Sequence, residues 1–454
     1  MPTPPRLLSL LGPSFLILAM GLGSGEVILW PYMVANYGLG IAWVAIVGLT
    51  LQFFINMEIE RYALVTGESV FYGFSKLWRW LPIWFIASSF IGFGLPGIIA
   101  SSALVIKNLF SLEVSTGIVG SILLVIIGVI LSIGKTVYVL MEKLTKFVIG
   151  LGVFVVFAVV LYFANQADYS QLMLGLVGVG DGYNWLPAGI VLTTLFSAFA
   201  YSGAGGNLNL TQSIYIREKG YGMGFYSPKM AGLFRKKTEQ NKIDLSGNII
   251  GQSEEEKINF KKWWHLINWE HSIVFWFIGG VMILMLMLLS YITVYNHELA
   301  AHGIQFVIAQ GWVIGQQSWL IVGQVFLLIV AIMLAQTQLS VIDSISRIIA
   351  ENLAILKKDK TTNLSNFYYL TVWSLVVFGI LLFALGKTEP KFLLVLAGMI
   401  NGVCMAIHVL LTFIINHKFI PKFSQPVLWR KAVILLAFLI FSIFATFSVY
   451  QAIK

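Results

Sequence analysis

The chain has 454 residues, of which 58% are hydrophobic and 11% charged, with a net charge of +9 and a mean hydropathy of +0.86. A soluble domain carries about 25% charged residues, so this composition excludes a water-soluble globule and places the chain in a bilayer. The single cysteine, Cys404, excludes an internal disulfide and a thiolate metal cluster, and its apolar surroundings predict a buried bystander thiol.

From the start, Met1 to Leu18 lacks a basic n-region and a small-residue cleavage site, so no cleavable signal peptide is expected. Apolar runs long enough to span follow at roughly 12–35, 38–60, 82–106, 115–134, 145–164, 186–214, 273–295, 319–342, 367–386, 391–416 and 431–452. A span needs about 20 apolar residues, and backbone polar groups in lipid have no water partner. The expected fold is therefore all-α and polytopic, with about eleven transmembrane helices.

Lysine and arginine set the orientation. With the N-terminus in the cytoplasm, the inner segments hold Arg6, Arg61, Lys76, Arg79, Lys135, Lys143 and Lys146. They also hold the basic residues of loop 215–272, then Arg347, Lys357, Lys358, Lys360, Lys418, Lys422, Arg430 and Lys431. Lys107, Lys387, Lys391 and Lys454 alone fall on the other side, a strong positive-inside asymmetry. The reading is a multi-pass protein of the cell (plasma) membrane, N-terminus cytoplasmic and C-terminus external. Its net positive charge answers to the bilayer and not to nucleic acid.

Spans one to five and six to ten form two groups of five that enter the membrane with opposite polarity, the arrangement of inverted repeats in secondary transporters. The expected units are 1–214 (first repeat plus span six), a cytosolic loop 215–272, the rest of the second repeat at 273–416, and an extra helix at 417–454. Within the loop, Phe234 to Lys262 is polar, with Arg235-Lys236-Lys237 and Glu254-Glu255-Glu256. Phe260 to Trp269 mixes Trp with Lys, as a helix at the membrane interface does, and His265 and His271 read as interfacial packing.

Two spans carry glycine clusters in their middles. Span one reads Gly21-Leu22-Gly23-Ser24-Gly25-Glu26, and span six reads Tyr201-Ser202-Gly203-Ala204-Gly205-Gly206-Asn207-Leu208-Asn209. Glycine weakens a helix, and a single cluster also fits close helix packing. Clusters in equivalent spans of the two groups point instead to broken helices around a midplane site, where freed carbonyls hold cations and freed amides hold anions. The substrate-binding candidates are Gly23, Ser24, Gly25, Glu26, Tyr201, Ser202, Ala204, Gly205, Asn207, Gln336 and Asn401. Glu26 is the acidic residue nearest the middle of an apolar run, and is the candidate cation ligand and proton carrier. His408 is a second proton-coupling candidate, or a packing histidine. Asp343 and Arg347, four apart near the cytosolic end of span eight, read as an ion pair.

These residues resemble a family. Gly12-Pro13, Tyr37-Gly38, Leu64-Val65-Thr66-Gly67, Asn207-Leu208-Asn209-Leu210 and Ala335-Gln336-Thr337-Gln338-Leu339 are similar to the Nramp metal transporters, loosely over spans one to ten. The resemblance implies a LeuT-type fold, proton-linked uptake and a substrate site at the two breaks. The chain departs from the family at the metal-binding motifs. Asp-Pro-Gly-Asn of the family reads Gly23-Ser24-Gly25-Glu26 here, and Met-Pro-His reads Ala204-Gly205-Gly206. Span three also lacks the family's acidic proton route. What remains is oxygen chemistry, which suits a hard cation such as Mg²⁺.

The leading expectation is a proton-coupled secondary transporter of a divalent cation that needs no cofactor. A transporter of a small amino-acid-like solute is the alternative, because Gly23-Ser24-Gly25 also resembles the carboxylate-holding stretch of amino-acid transporters. A membrane enzyme is disfavoured, since no HExxH or Ser–His pairing is legible. A receptor on the same fold stays open.

Overall fold

Helices in this chain stop where glycine or proline relaxes the backbone or removes an amide donor. The computed structural model describes residues 1–5, 12–133, 137–227, 245–295, 303–357 and 364–453. Arg6, Lys135, Arg235-Lys236-Lys237, Lys358, Lys360 and Lys454 lie outside the described residues.

Span one is α1 (Pro13–Gly23), a π-helical segment (Ser24–Leu29) and α2 (Trp30–Tyr37). Span two is α3 (Ala42–Thr66), stopped by Gly67 in the left-handed region. A short α4 (Val70–Leu77) follows, with Ser69 as its N-cap. Span three is α5 (Leu81–Gly94) and α6 (Gly97–Leu109); spans four and five are α7 (Thr116–Ile133) and α8 (Val137–Phe163). An α9 (Gln166–Leu176) and a hairpin of β1 (Val179–Gly180) with β2 (Tyr183–Asn184) lead to span six.

Span six is two nine-residue halves, α10 (Leu192–Ala200) and α11 (Thr211–Lys219). The second repeat continues with α12 (Glu254–His271), which runs through a π-helical segment (Ser272–Ile278) into α13 (Gly279–Val294). It ends with α14 (Gln305–Gln317), α15 (Leu320–Lys357), α16 (Leu364–Ala384) and α17 (Pro390–Lys418), before the last helix, α18 (Leu428–Ile453). Among the described residues, 10 helical stretches are long and apolar enough to cross a membrane. Span six, split in two, is the eleventh crossing. The chain is an all-α, polytopic integral membrane protein.

Four differences from the sequence reading have physical causes. Span three was expected as one helix, but Leu95 is extended (φ −68, ψ 124) because Pro96 follows it. Spans two and eight run past their expected ends at 60 and 342, to Thr66 and Lys357, because their terminal charges find partners inside the protein. Glu58 pairs with Arg61 (2.7 Å), and Glu351 with Arg217 (2.7 Å). Span six starts at Leu192 and its second half continues to Lys219, so the connecting loop begins later than residue 215. The Trp- and Lys-rich segment is a helix continuous with span seven, and His271 is fully buried instead of interfacial. His265 is exposed and accepts from Trp269 Nε1 at 3.1 Å.

Of these 10 stretches, span one is the most enclosed, with 94% of its apolar window buried, and the last is the most open at 22%. The first therefore sits at the axis of the fold, and α18 stands at its periphery.

Candidate functional site at the two helix breaks

The first break lies at Leu22 (ψ 46) and Gly23 (φ −149, ψ −87), where helical geometry is lost. The carbonyls of Ala19 and Leu22 lose their helical donors, and the Thr337 hydroxyl of α15 donates to both, at 3.0 and 3.1 Å. A Cβ on Gly23 would overlap the Thr337 side chain, so glycine is what admits this cap.

The second break runs from Tyr201 to Gly205. Gly205 (φ +74) and Gly206 (φ +50) occupy the left-handed region that glycine adopts without strain. Gln52 of α3 replaces the missing helical bonds. Its Nε2 donates to the Ala200 carbonyl (3.1 Å), and its Oε1 accepts from the Gly205 amide (3.1 Å) and from Asn209 Nδ2 (3.3 Å). Sequence reasoning missed Gln52. Its signal was a lone amide inside the apolar run Leu51-Gln52-Phe53.

The breaks touch each other. A Cβ on Gly25 would land on the Tyr201 carbonyl, and one on Gly21 would stand 3.1 Å from the Gly203 backbone. Trp30 Nε1 donates to Ser202 Oγ at 3.1 Å, fastening the π-helical side of span one to span six. Ser24, Gly25 and Glu26 are buried in the π-helical segment. The Glu26 carboxylate sits beside Gly21, with Oε1 at 3.0 Å from where a Cβ would be, and faces Gly279 of α13 at 4.0 Å by the same measure. Among the described residues, neither carboxylate oxygen has a hydrogen-bond partner. A bare buried carboxylate costs several kcal/mol, so this group takes up either a cation or a proton.

A second group of oxygens lies on the other side of the span-six break. Asn207 Nδ2 donates to Ser88 Oγ (2.8 Å) and Ser89 Oγ (3.0 Å) of α5. Asn401 Nδ2 on α17 donates to the Tyr201 hydroxyl (2.8 Å) and the Gly92 carbonyl (3.2 Å). Among the described residues, the Oδ1 atoms of Asn207, Asn209 and Asn401 have no hydrogen-bond partner. His408 Nε2 bonds the Gly206 carbonyl at 3.0 Å, an interaction in which the ring N–H donates. Ala204 is buried within the break.

The predicted residues thus form two neighbourhoods that share span six. Glu26 stands among spans one, six and seven; Tyr201, Asn207, Asn401 and His408 stand among spans three, six and ten. Gln336 joins neither. It donates to Thr145 Oγ1 of α8 (3.0 Å) and so ties span eight to span five, beside Leu22.

A cavity of about 610 Å³ opens above the second neighbourhood, on the side away from the N-terminus, lined by Leu104, Thr194, Glu389, Lys391 and Val395. Lys391, in its lining, donates to the Tyr32 hydroxyl of α2 at 2.5 Å. Buried ion pairs gather where α11 packs against α15 and α16. Arg347 binds Asp343 (2.9 Å) and Glu218 (2.6 Å), and Tyr368 donates to Asp343 at 2.7 Å. Arg217 binds Glu351, which also accepts from Ser69. Arg61, Arg217, Arg347 and Arg430, read from sequence as charges of the inner face, are all buried here.

No protein-family profile matches the chain, and no curated protein matches it. Solved structures do. Crystal structures of mutant forms of the Eremococcus coleocola manganese transporter superpose with a TM-score of 0.72 at 12% identity, over 98% of this chain and 87% of that one. MhsT in complex with L-phenylalanine gives 0.54 at 15% identity, over 97% and 98%. Mhp1, a nucleobase-cation-symport-1 family transporter in a closed conformation with bromovinylhydantoin bound, gives 0.51 at 14% identity, over 99% and 95%. The chain has the LeuT-type fold, with inverted five-helix repeats and broken spans one and six.

Proposed function

We propose that this chain is a secondary transporter of the Nramp-related type that moves a hard divalent cation through the breaks of spans one and six. The observation that carries the reading is Glu26, fully buried, with both oxygens unpartnered, where two broken helices meet. The breaks beside it offer backbone carbonyl and side-chain oxygens. Among the described residues, no three His, Cys, Asp or Glu side chains stand together as a metal cluster. One carboxylate with amide and backbone carbonyl oxygens fits an ion that keeps part of its water shell, such as Mg²⁺ or Mn²⁺. The stronger likeness to a manganese transporter than to MhsT or Mhp1 supports the same choice.

The lysine and arginine asymmetry supports a cytosolic N-terminus. The cavity above span ten then opens outward, and the Arg347 network closes the cytosolic side. Glu26, with no hydrogen-bond partner among the described residues, is the group to exchange proton for metal.

A second reading keeps the fold and moves a small amino-acid-like solute, favoured by the likeness to MhsT with bound L-phenylalanine. Thermal unfolding of the purified protein against Mg²⁺, Mn²⁺, Ca²⁺, Na⁺ and a panel of amino acids separates the two. The cation reading expects a divalent ion to raise the midpoint, with a stabilisation of about 2.7 kcal/mol at a hundred times its Kd. Stabilisation by an amino acid and by no cation would replace it with the second.

A further inference from the structure

Buried titratable groups gather a second time, at the N-terminal end of span one, away from Glu26 and from the Arg347 network. The Ser14 hydroxyl, in the first turn of α1, donates to Glu270 Oε2, and the Gly12 amide donates to Oε1 at 3.4 Å. Ser14 Oγ also lies 2.8 Å from His271 Nδ1. That same nitrogen is 3.2 Å from Glu60 Oε1 on α3, and Gln212 of α11 donates to Glu60 Oε1 at 2.5 Å. Four elements therefore meet through one hydroxyl, one imidazole and two carboxyl groups. Ser14, Glu60 and His271 are 0% exposed and Glu270 2%. The rings of Phe53 and Phe275 stack on the imidazole, with centroids at 5.4 and 4.7 Å, and add no charge.

The charges do not balance with both carboxyl groups ionised. Among the described residues, no lysine or arginine is ion-paired with Glu60 or Glu270. Lys146 of α8 acts on Glu270 only at a distance and is itself bound to Glu142 at 2.6 Å. Among the described residues, the contacts from α1 and α11 come from the neutral Ser14 and Gln212. Glu60 Oε2 and His271 Nε2 have no hydrogen-bond partner, so donors are too few for two carboxylates. Two anions enclosed at this spacing without a cation cannot both persist, and a proton held between them supplies both the missing charge and the missing donor.

We propose that Glu60, His271 and Glu270 form a proton-binding site that, when occupied, holds the first turn of α1 against spans two and seven. When the proton leaves a carboxyl oxygen for water, two anions face each other across the imidazole. Solvating them requires α1 to lift from α12, which breaks the Ser14–Glu270 contact. The site is separate from Glu26 and does not depend on what is transported.

Hydrogen exchange of peptides covering residues 14–23, followed by mass spectrometry from pH 5 to pH 8 and corrected for intrinsic rates, tests this on the full chain. Wild-type protection is expected to fall roughly tenfold or more across that range. Glu60→Gln places a neutral amide at the same oxygen and should hold the segment protected and flat with pH; Glu270→Gln should flatten it as well. Protection that does not change with pH in the wild type would overturn the proposal. So would a wild-type profile retained in either variant, and if one variant fails to fold the other still decides. The readout uses no substrate, so a failed ligand panel leaves it standing, and its own failure leaves the cation reading untouched.

Discussion

Glu26→Gln is expected to abolish divalent-cation uptake and cation-induced stabilisation while leaving the protein folded. The amide has the shape of the carboxyl group, so the close approaches at Gly21 and Gly279 are kept. It carries no charge and cannot release a proton. In the wild type, both oxygens lack a hydrogen-bond partner, so the side chain gives no hydrogen bond to the fold that the variant would lose. The metal-free variant should unfold at about the same temperature as the wild type, since a neutral amide replaces a carboxyl group that holds a proton when no cation is bound. Cation affinity should drop by roughly 100-fold or more, the cost of stripping the single charged partner from a buried ion. Uptake into proteoliposomes at matched protein levels is the measurement. Undiminished uptake would remove Glu26 from the site.

Arg347→Ala should give the largest loss of stability of any change outside the breaks. The guanidinium is fully buried and holds Asp343 and Glu218 together, with the rings of Tyr215 and Tyr368 within 5.6 and 5.8 Å. Removing it strands two carboxylates in the interior, a change that costs about 3–5 kcal/mol. Combining it with Asp343→Asn should recover part of that loss, because one stranded charge is then gone. Arg347→Lys should fall between, since a single ammonium cannot reach two acceptors with the fork geometry of arginine. Thermal unfolding in detergent reads all three. A midpoint for Arg347→Ala within error of the wild type would mean that the network adds nothing to the closed side.

How much of this was legible beforehand follows from where each signal lives. Hydropathy and the lysine and arginine asymmetry depend on single residues, and they pointed to eleven crossings. Gly23 and Gly205 could be read because a helix interruption needs glycine locally. Gln52 could not, because its role is to serve backbone groups on another span, and sequence gives no distance between the two. Glu60 and His271 were hidden for the same reason. Each looks like the soluble end of an apolar run, and only the packing of α1 and α11 over them makes that end dry. The split of the candidates into a Glu26 side and an Asn207–Asn401 side was equally out of reach, since both flank one break and differ only in the face they present. The bend at Leu95 was available in Gly94-Leu95-Pro96-Gly97, where proline forbids a continuous helix.

The central claim is a place: a cation held at Glu26 where spans one and six are both broken. Crystals soaked in Mn²⁺ and measured at its absorption edge locate the ion directly by anomalous scattering. One strong peak is expected within about 2.0–2.6 Å of a Glu26 carboxylate oxygen, with further oxygens from the two breaks around it. A peak held only by Asn207 and Asn401, or none between the breaks under conditions where Mn²⁺ stabilises the protein, would contradict it.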